Sequence, residues 1–262
     1  MRYASMAGAF VLAVGLSGLP NSLVAQATVT IFASYNFEDT SNETTFFSDS
    51  SGNGHGFADS TGFGFTSSNL APVGGSNAFN GAGGGLFAWG VAGGSVGQAT
   101  NWGIELLFKN PGSSNGSASV SIFSVGNVGG NGMAIVYNPV TNRIEGQRNG
   151  VASFGSATYT SDAWNSATLV NNGTTTSLWI NSVLVANQTG NPTIADSNWH
   201  AFVNSGGGVS YTGLADNVKV FTFTGEFAAA NIAAVPEPST YAGLAGFVAL
   251  GFVVWRRSKS RR

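Results

Sequence analysis

Apolar and polar side chains alternate with period two along most of residues 28–230, and that period predicts strands rather than helices. Residues 29–37 put Ile31, Ala33, Tyr35 and Phe37 on one face, and residues 102–109 alternate more cleanly still, with Ile104, Leu106 and Phe108 set against Glu105 and Lys109. Shorter apolar runs follow at 120–125 and 133–137, with turn chemistry at Asn138-Pro139-Val140-Thr141-Asn142 and Asn149-Gly150. The clearest hairpins come next. Residues 164–170 lead through Asn171-Asn172-Gly173 into 174–180, Asn181-Ser182 turns the chain into 183–186, and residues 211–223 close the series. The Gly- and Ser-rich stretches at 81–85 and 110–116 cannot hold a helix, and no helix is predicted in this body.

Both ends break the pattern. Near the N-terminus, Arg2 precedes an apolar segment at 7–19, Pro20 ends it, and Ala25-Gln26-Ala27 is a small-residue cleavage site. Residues 1–27 therefore read as a signal peptide, with the mature chain starting at Thr28. At the other end, residues 241–255 are uncharged and apolar, long enough for a helix of about 22 Å. A bilayer core of about 30 Å asks for about 20 apolar residues, so flanking residues must complete the crossing. Residues 256–262 hold Arg256, Arg257, Lys259, Arg261 and Arg262, which stay on the cytoplasmic side. A plain C-terminal anchor accounts for the helix and the charges but not for Pro236-Glu237-Pro238.

With the ends set aside, residues 28–234 carry Lys109, Arg143, Arg148 and Lys219 against eleven carboxylates, a net charge of −7. An acidic body with its cations in the tail excludes a nucleic-acid footprint. Only 8% of the whole chain is charged, against about a quarter in ordinary proteins, so Gly, Ser, Thr and Asn must supply solubility. There is no cysteine, hence no disulfide, thiolate metal site or thiol nucleophile. About 200 residues rich in Phe and Trp suffice for one apolar core.

Two resemblances add to this reading. Val235-Pro236-Glu237-Pro238-Ser239-Thr240, followed by a short apolar span and a terminal Arg cluster, resembles the PEP-CTERM sorting signal. The resemblance implies recognition by an exosortase-type processing enzyme in a Gram-negative bacterium. It also implies a transient stay in the inner membrane, then release to the cell surface or an exopolysaccharide matrix. In the body, Phe37-Glu38, Asp49-Ser50-Ser51-Gly52-Asn53-Gly54, Ala78-Phe79-Asn80-Gly81, the Trp102 strand, the Trp164 to Asn181 hairpins and Asp216-Asn217-Val218-Lys219-Val220 together resemble a laminin-G-like (concanavalin A-like) domain. That implies an all-β, two-sheet antiparallel jelly-roll sandwich over 28–230. Residues 231–240 then form a linker with the PEP motif, 241–255 the transmembrane helix and 256–262 the basic tail. Ser182 departs from that family, which commonly has Gly there.

Candidate chemistry is sparse. Retaining glycosidases need two carboxylates about 5–5.5 Å apart. The Glu-x-Asp-x-x-Glu strand of jelly-roll hydrolases is missing, and Glu105, without an acidic partner at i+2 or i+4, reads as solvent-facing. Gly93-Gly94-Ser95-Val96-Gly97, with Asp196 and His200 after it, matches a nucleophile elbow in letters but lacks the strand-to-helix context. His55 and His200 read as polar loop residues. Two readings of Asp49-Ser50-Ser51-Gly52-Asn53 stand side by side: an Asx-type turn, or part of a structural calcium site in which Glu38, Asp49, Asn53 and Asp216 meet across the sandwich edge. The expected function is that of an exported, non-enzymatic surface or matrix protein that binds extracellular polysaccharide or other envelope material. The alternative is a secreted polysaccharide-active glycoside hydrolase with a divergent site.

Overall fold

A computed structural model describes residues 27–39, 41, 46–56, 66–68, 77–81, 88–90, 100–126, 132–148, 153–190, 199–202, 209–228 and 231. Among them the strands are β1 (Thr28–Tyr35), β2 (Thr66–Ser68), β3 (Ala78–Asn80), β4 (Ala88–Gly90), β5 (Trp102–Lys109), β6 (Val120–Gly126), β7 (Gly132–Asn138), β8 (Arg143–Arg148), β9 (Phe154–Ala157), β10 (Asn165–Asn171), β11 (Thr175–Ile180), β12 (Val183–Thr189), β13 (Trp199–Ala201) and β14 (Leu214–Thr224). Eight lie in one sheet, in the order β12-β11-β10-β5-β14-β3-β2, with β1 also paired to β14; six form the other, β4-β13-β6-β7-β8-β9. The all-β, two-sheet antiparallel sandwich expected from the sequence is what forms.

Alternation builds the core. From the larger sheet Trp102, Ile104, Leu106, Phe108, Leu169 and Val220 face inward, and Phe123, Val125, Ile135 and Ile144 answer from the smaller one. One end of the sandwich is closed by packed rings, with Phe79 stacked on Phe202 at 3.6 Å and Phe37 tilted against both Phe46 and Phe79. Asn181 and Ser182 both adopt left-handed φ, +50° and +63°, which is the two-residue hairpin turn between β11 and β12. Serine thus takes the position where glycine is expected. The turn is tied back to β10 by Asn181, whose Oδ1 accepts from Ser166 N at 2.9 Å and whose Nδ2 donates to Asn165 Oδ1 at 2.9 Å.

The larger sheet is apolar on both faces along part of its length. Val218 and Val220 point into the main core, whereas Phe221 and Phe223 point outward and meet Ala27, Val29, Val170 and Phe227 in a second, smaller cluster. Phe227 follows β14 and folds back over it, its ring 5.6 Å from Phe221 and 5.3 Å from Phe223. Gly103 makes room for this: a Cβ there would stand 2.5 Å from the Phe221 ring and 2.9 Å from Leu169 O. The returning chain is pinned by Asn231, whose Nδ2 donates to Ala27 O at 2.8 Å.

Two sequence expectations are corrected here. Glu105 does point away from the core, but it is 6% exposed rather than solvent-facing, because β5 is an interior strand flanked by β10 and β14. It accepts from Lys219 Nζ at 3.2 Å across that ladder. His200 lies on β13, not in a loop; alternating with the core-facing Trp199 and Ala201 it points to the outer face, and it is buried there because β13 is an interior strand flanked by β4 and β6.

Candidate functional site

The residues singled out from the sequence fall in separate places. Asp49 lies in the loop that covers the open edge of β1, and the loop's polar side chains take up that edge's backbone groups. Asp49 Oδ1 accepts from Ser34 N at 3.0 Å and from Ser51 N at 2.9 Å, and Oδ2 accepts from His55 N at 3.1 Å. The Ser51 bond is an Asx turn. Asn53 Nδ2 donates to Phe32 O at 2.9 Å, Ser50 N donates to Ser34 O at 2.7 Å, and His55 stacks on Phe32 at 4.1 Å. Burial pushes the Asp49 carboxyl up, but the Ser51 hydroxyl and the three amides outweigh it and hold the group below its ordinary range. Edge strands with open backbone groups invite unwanted pairing, and this loop removes the invitation from β1.

Glu38 and Asp216 face a different neighbourhood. Glu38 accepts from Asn77 N at 3.3 Å on both oxygens, just ahead of β3. Asp216 sits at a bulge of β14, where Asn217 is left-handed (φ +48°) and donates its N–H to Asp216 Oδ1 at 2.7 Å. Burial raises the Asp216 carboxyl to about 7; the Asn217 amide works against this, and the nearby Glu38 charge adds to it. Among the described residues no group of three His, Asp or Glu side chains gathers to hold a cation. Ala25, the sorting residues Val235 to Thr240, the span 241–255 and the Ser95 elbow with Asp196 lie outside the described residues, among which no helix is long and apolar enough to cross a membrane.

A groove of about 440 Å³ opens on the outer face of the larger sheet, a feature the sequence reading missed. The register there sets up two cross-strand rows. One runs Asn187, Ser177, Val170, Gly103, Phe221; the next runs Leu184, Trp179, Thr168, Glu105, Lys219. Val170, Ser177 and Trp179 form the floor, Leu184 and Asn187 the side toward β12, and residues 225–228 the opposite wall. Of the tryptophans, Trp102 and Trp199 are in the core, whereas Trp179 is half-buried and lines the groove. Its Nε1 is shielded and meets no acceptor among the described residues. The signal that could have found this place is Val220-Phe221 beside Val218 and Phe223: adjacent apolar residues on a strand mean both faces are covered, hence a chain segment lying over the sheet.

The outer face of the smaller sheet is also polar and buried. His200 pairs with Ser124, and Ser124 with Ala134, in one row. Glu145 lies in the neighbouring row and accepts from Asn138 Nδ2 at 2.9 Å. Glu105 and Glu145, the two buried acids on strands other than β14, thus stand on opposite outer faces with both sheets between them.

Comparisons with known proteins agree with this architecture. Domain 4 of AbnA, a GH43 extracellular arabinanase from Geobacillus stearothermophilus solved in complex with arabinotriose, superposes with a TM-score of 0.58 at 14% identity, over 77% of this chain and 96% of that one. The botulinum neurotoxin type G receptor binding domain gives 0.52 at 15% identity, over 76% of this chain and 49% of that one. Trypanosoma rangeli sialidase in complex with the inhibitor DANA gives 0.50 at 10% identity, over 73% of this chain and 30% of that one. Likenesses at such identities concern the fold alone. No curated protein matches the sequence. Residues 234–258, in contrast, match the PEP-CTERM protein-sorting motif. Behind its two-sheet antiparallel body, the chain therefore carries a PEP-CTERM sorting motif, the address of an exported protein.

Proposed function

We propose that this is a cell-surface or matrix protein that binds polysaccharide without cleaving it, delivered by an exosortase-type enzyme after a transient stay in the inner membrane. The observation that carries the reading is the groove, where one half-buried indole is set among hydroxyls and carboxamides. A flat aromatic face beside a few fixed polar groups suits sugar rings, which are apolar on their C–H faces and polar at their rims. That the AbnA domain is solved with arabinotriose lends the fold precedent for such a ligand. Turnover is disfavoured by the positions of the buried acids Glu105 and Glu145: Glu105 is paired with Lys219, Glu145 with Asn138, and the two stand on opposite outer faces, not as a pair about 5–5.5 Å apart.

The test uses protein recovered from the cell envelope and the producer's own exopolysaccharide. Co-sedimentation with the polymer and no release of reducing ends are expected, for both the wild type and Glu105→Gln. Release of reducing ends that Glu105→Gln abolishes would replace this reading with the hydrolase. The mature C-terminus, read by mass spectrometry, should fall near residues 236–240; a C-terminus retaining Trp255 would leave an ordinary membrane anchor instead.

A further inference from the structure

We propose that the groove selects uncharged polysaccharide and that Glu226 is the residue that turns acidic chains away; this rests on the glycan-binding reading above. Among the described residues that line the groove Glu226 is the only ionisable one, exposed on the wall formed by residues 225–228. Among the described residues no cation answers it from the floor. Lys219, on the same cross-strand row as Trp179, is bonded to Glu105 at 3.2 Å. Arg148 reaches β12 from the other sheet, but its guanidinium donates to Thr189 O and Gly190 O, each at 2.6 Å. Carboxylate- or sulfate-bearing sugars are held through charge-assisted bonds from Arg or Lys, and none is offered here. An acidic chain in the groove would instead meet a like charge, and such repulsion is how a site rejects a wrong partner.

The neutral groups are arranged the other way. Leu184, 42% exposed, lies across the ladder from Trp179 and extends its apolar platform. Ser177 Oγ donates to Asn187 Oδ1 at 2.6 Å, which orients that carboxamide and leaves its NH₂ without a partner among the described residues. Asn172 is alike: its Oδ1 accepts from Thr174 N, Thr174 Oγ1 and Thr175 N, so its NH₂ is the group left over. Two fixed, unpartnered donors beside an aromatic and aliphatic platform suit hydroxyl oxygens of an uncharged sugar chain.

Native affinity electrophoresis in gels holding matched polymers, dextran against carboxymethyl-dextran and hydroxyethyl-cellulose against carboxymethyl-cellulose, separates charge from backbone. The wild type should be retarded by at least one neutral member and about tenfold less by its carboxymethylated form at low salt, with the gap closing toward 0.5 M salt as charge is screened. Glu226→Gln should narrow the gap and Glu226→Lys close it, the gap being read for each variant as the ratio of its own retardation by the two members of a pair. Trp179→Ala should abolish neutral binding, Trp179→Phe should keep part of it, and Asn187→Ala should weaken it if Trp179→Ala fails to fold. Equal retardation by both forms overturns the proposal. So does a gap that Glu226→Gln leaves unchanged, which would assign the exclusion to the acidic body as a whole. Neutral binding that survives Trp179→Ala in folded protein removes the groove as the site. Absence of retardation by any polymer, the producer's own included, sinks the glycan reading itself.

Discussion

Replacing Asp49 by alanine removes the acceptor of three backbone N–H groups at once, those of Ser34, Ser51 and His55. Each bond is charge-assisted but partly exposed, so water recovers some of it, and a net loss of about 1–2 kcal/mol per bond is reasonable. Asp49→Ala should therefore cost on the order of 3–6 kcal/mol. Asp49→Asn keeps an oxygen for Ser34 and Ser51 but turns an NH₂ toward the His55 amide, so its cost should lie near half of that. In urea, with a slope of about 2 kcal/mol/M, the alanine variant's midpoint should fall by about 2 M. The sign of the pH dependence follows from the direction of the shift. The folded-state carboxyl sits below its ordinary 3.8, so its contribution is complete above that value and is lost as pH falls through the folded-state value. Urea unfolding at pH 7 and along an acid series reads both effects. A gap between wild type and Asp49→Ala that is below 1 kcal/mol at pH 7, or that fails to narrow on acidification, would refute the edge-capping role of this loop.

Further outcomes are expected elsewhere. Phe227→Ala removes the ring that covers Phe221 and Phe223 and should cost about 1.5–3 kcal/mol, lowering the melting temperature by roughly 3–12 °C; an unchanged melt would mean that the returning chain adds nothing to the body. In protein stripped of divalent cations, Asp216→Asn should stabilise at pH 8. The wild-type carboxyl is raised from 3.8 to about 7, so folded protein loses stability as pH climbs between those values, by on the order of 3–5 kcal/mol. Equilibrium unfolding between pH 4 and 8 checks this, and a variant no more stable than wild type at pH 8 would contradict it. Added calcium that raises the wild-type melting temperature but not that of Asp216→Asn would favour the calcium site, one of the two readings the sequence leaves open.

Where one face of a strand is buried, the pattern was readable. Residues 102–109 alternate, and they form β5 with Ile104, Leu106 and Phe108 inward; the Asn181-Ser182 turn forms although Ser182 lacks glycine's freedom. What alternation could not carry is anything that depends on a second covering. Glu105 was assigned to the right face, yet its burial comes from β10 and β14, which are far from it in sequence. β8, Arg-Ile-Glu-Gly-Gln-Arg, and the three-residue β13 hold too few apolar residues to announce a strand, and they exist through their neighbours' ladders. The groove was invisible for the same reason: Trp179 and Glu226 are brought together only by the chain that doubles back after β14.

β14 is the last strand in the described chain, and it lies inside the larger sheet, where it pairs with β5 on one edge and with β3 and then β1 on the other. Its first residues meet β3 and its last meet the opening of β1, with Thr224 opposite Thr28. Until this segment has been synthesised, β1 and β3 have no partner to hold them to β5. Such end-to-end pairing is slow to form, because the whole intervening chain must be ordered before the contact is gained. In a chain that its sorting motif marks for export, the two-sheet body therefore closes only once β14, the segment nearest that motif, is available to pair.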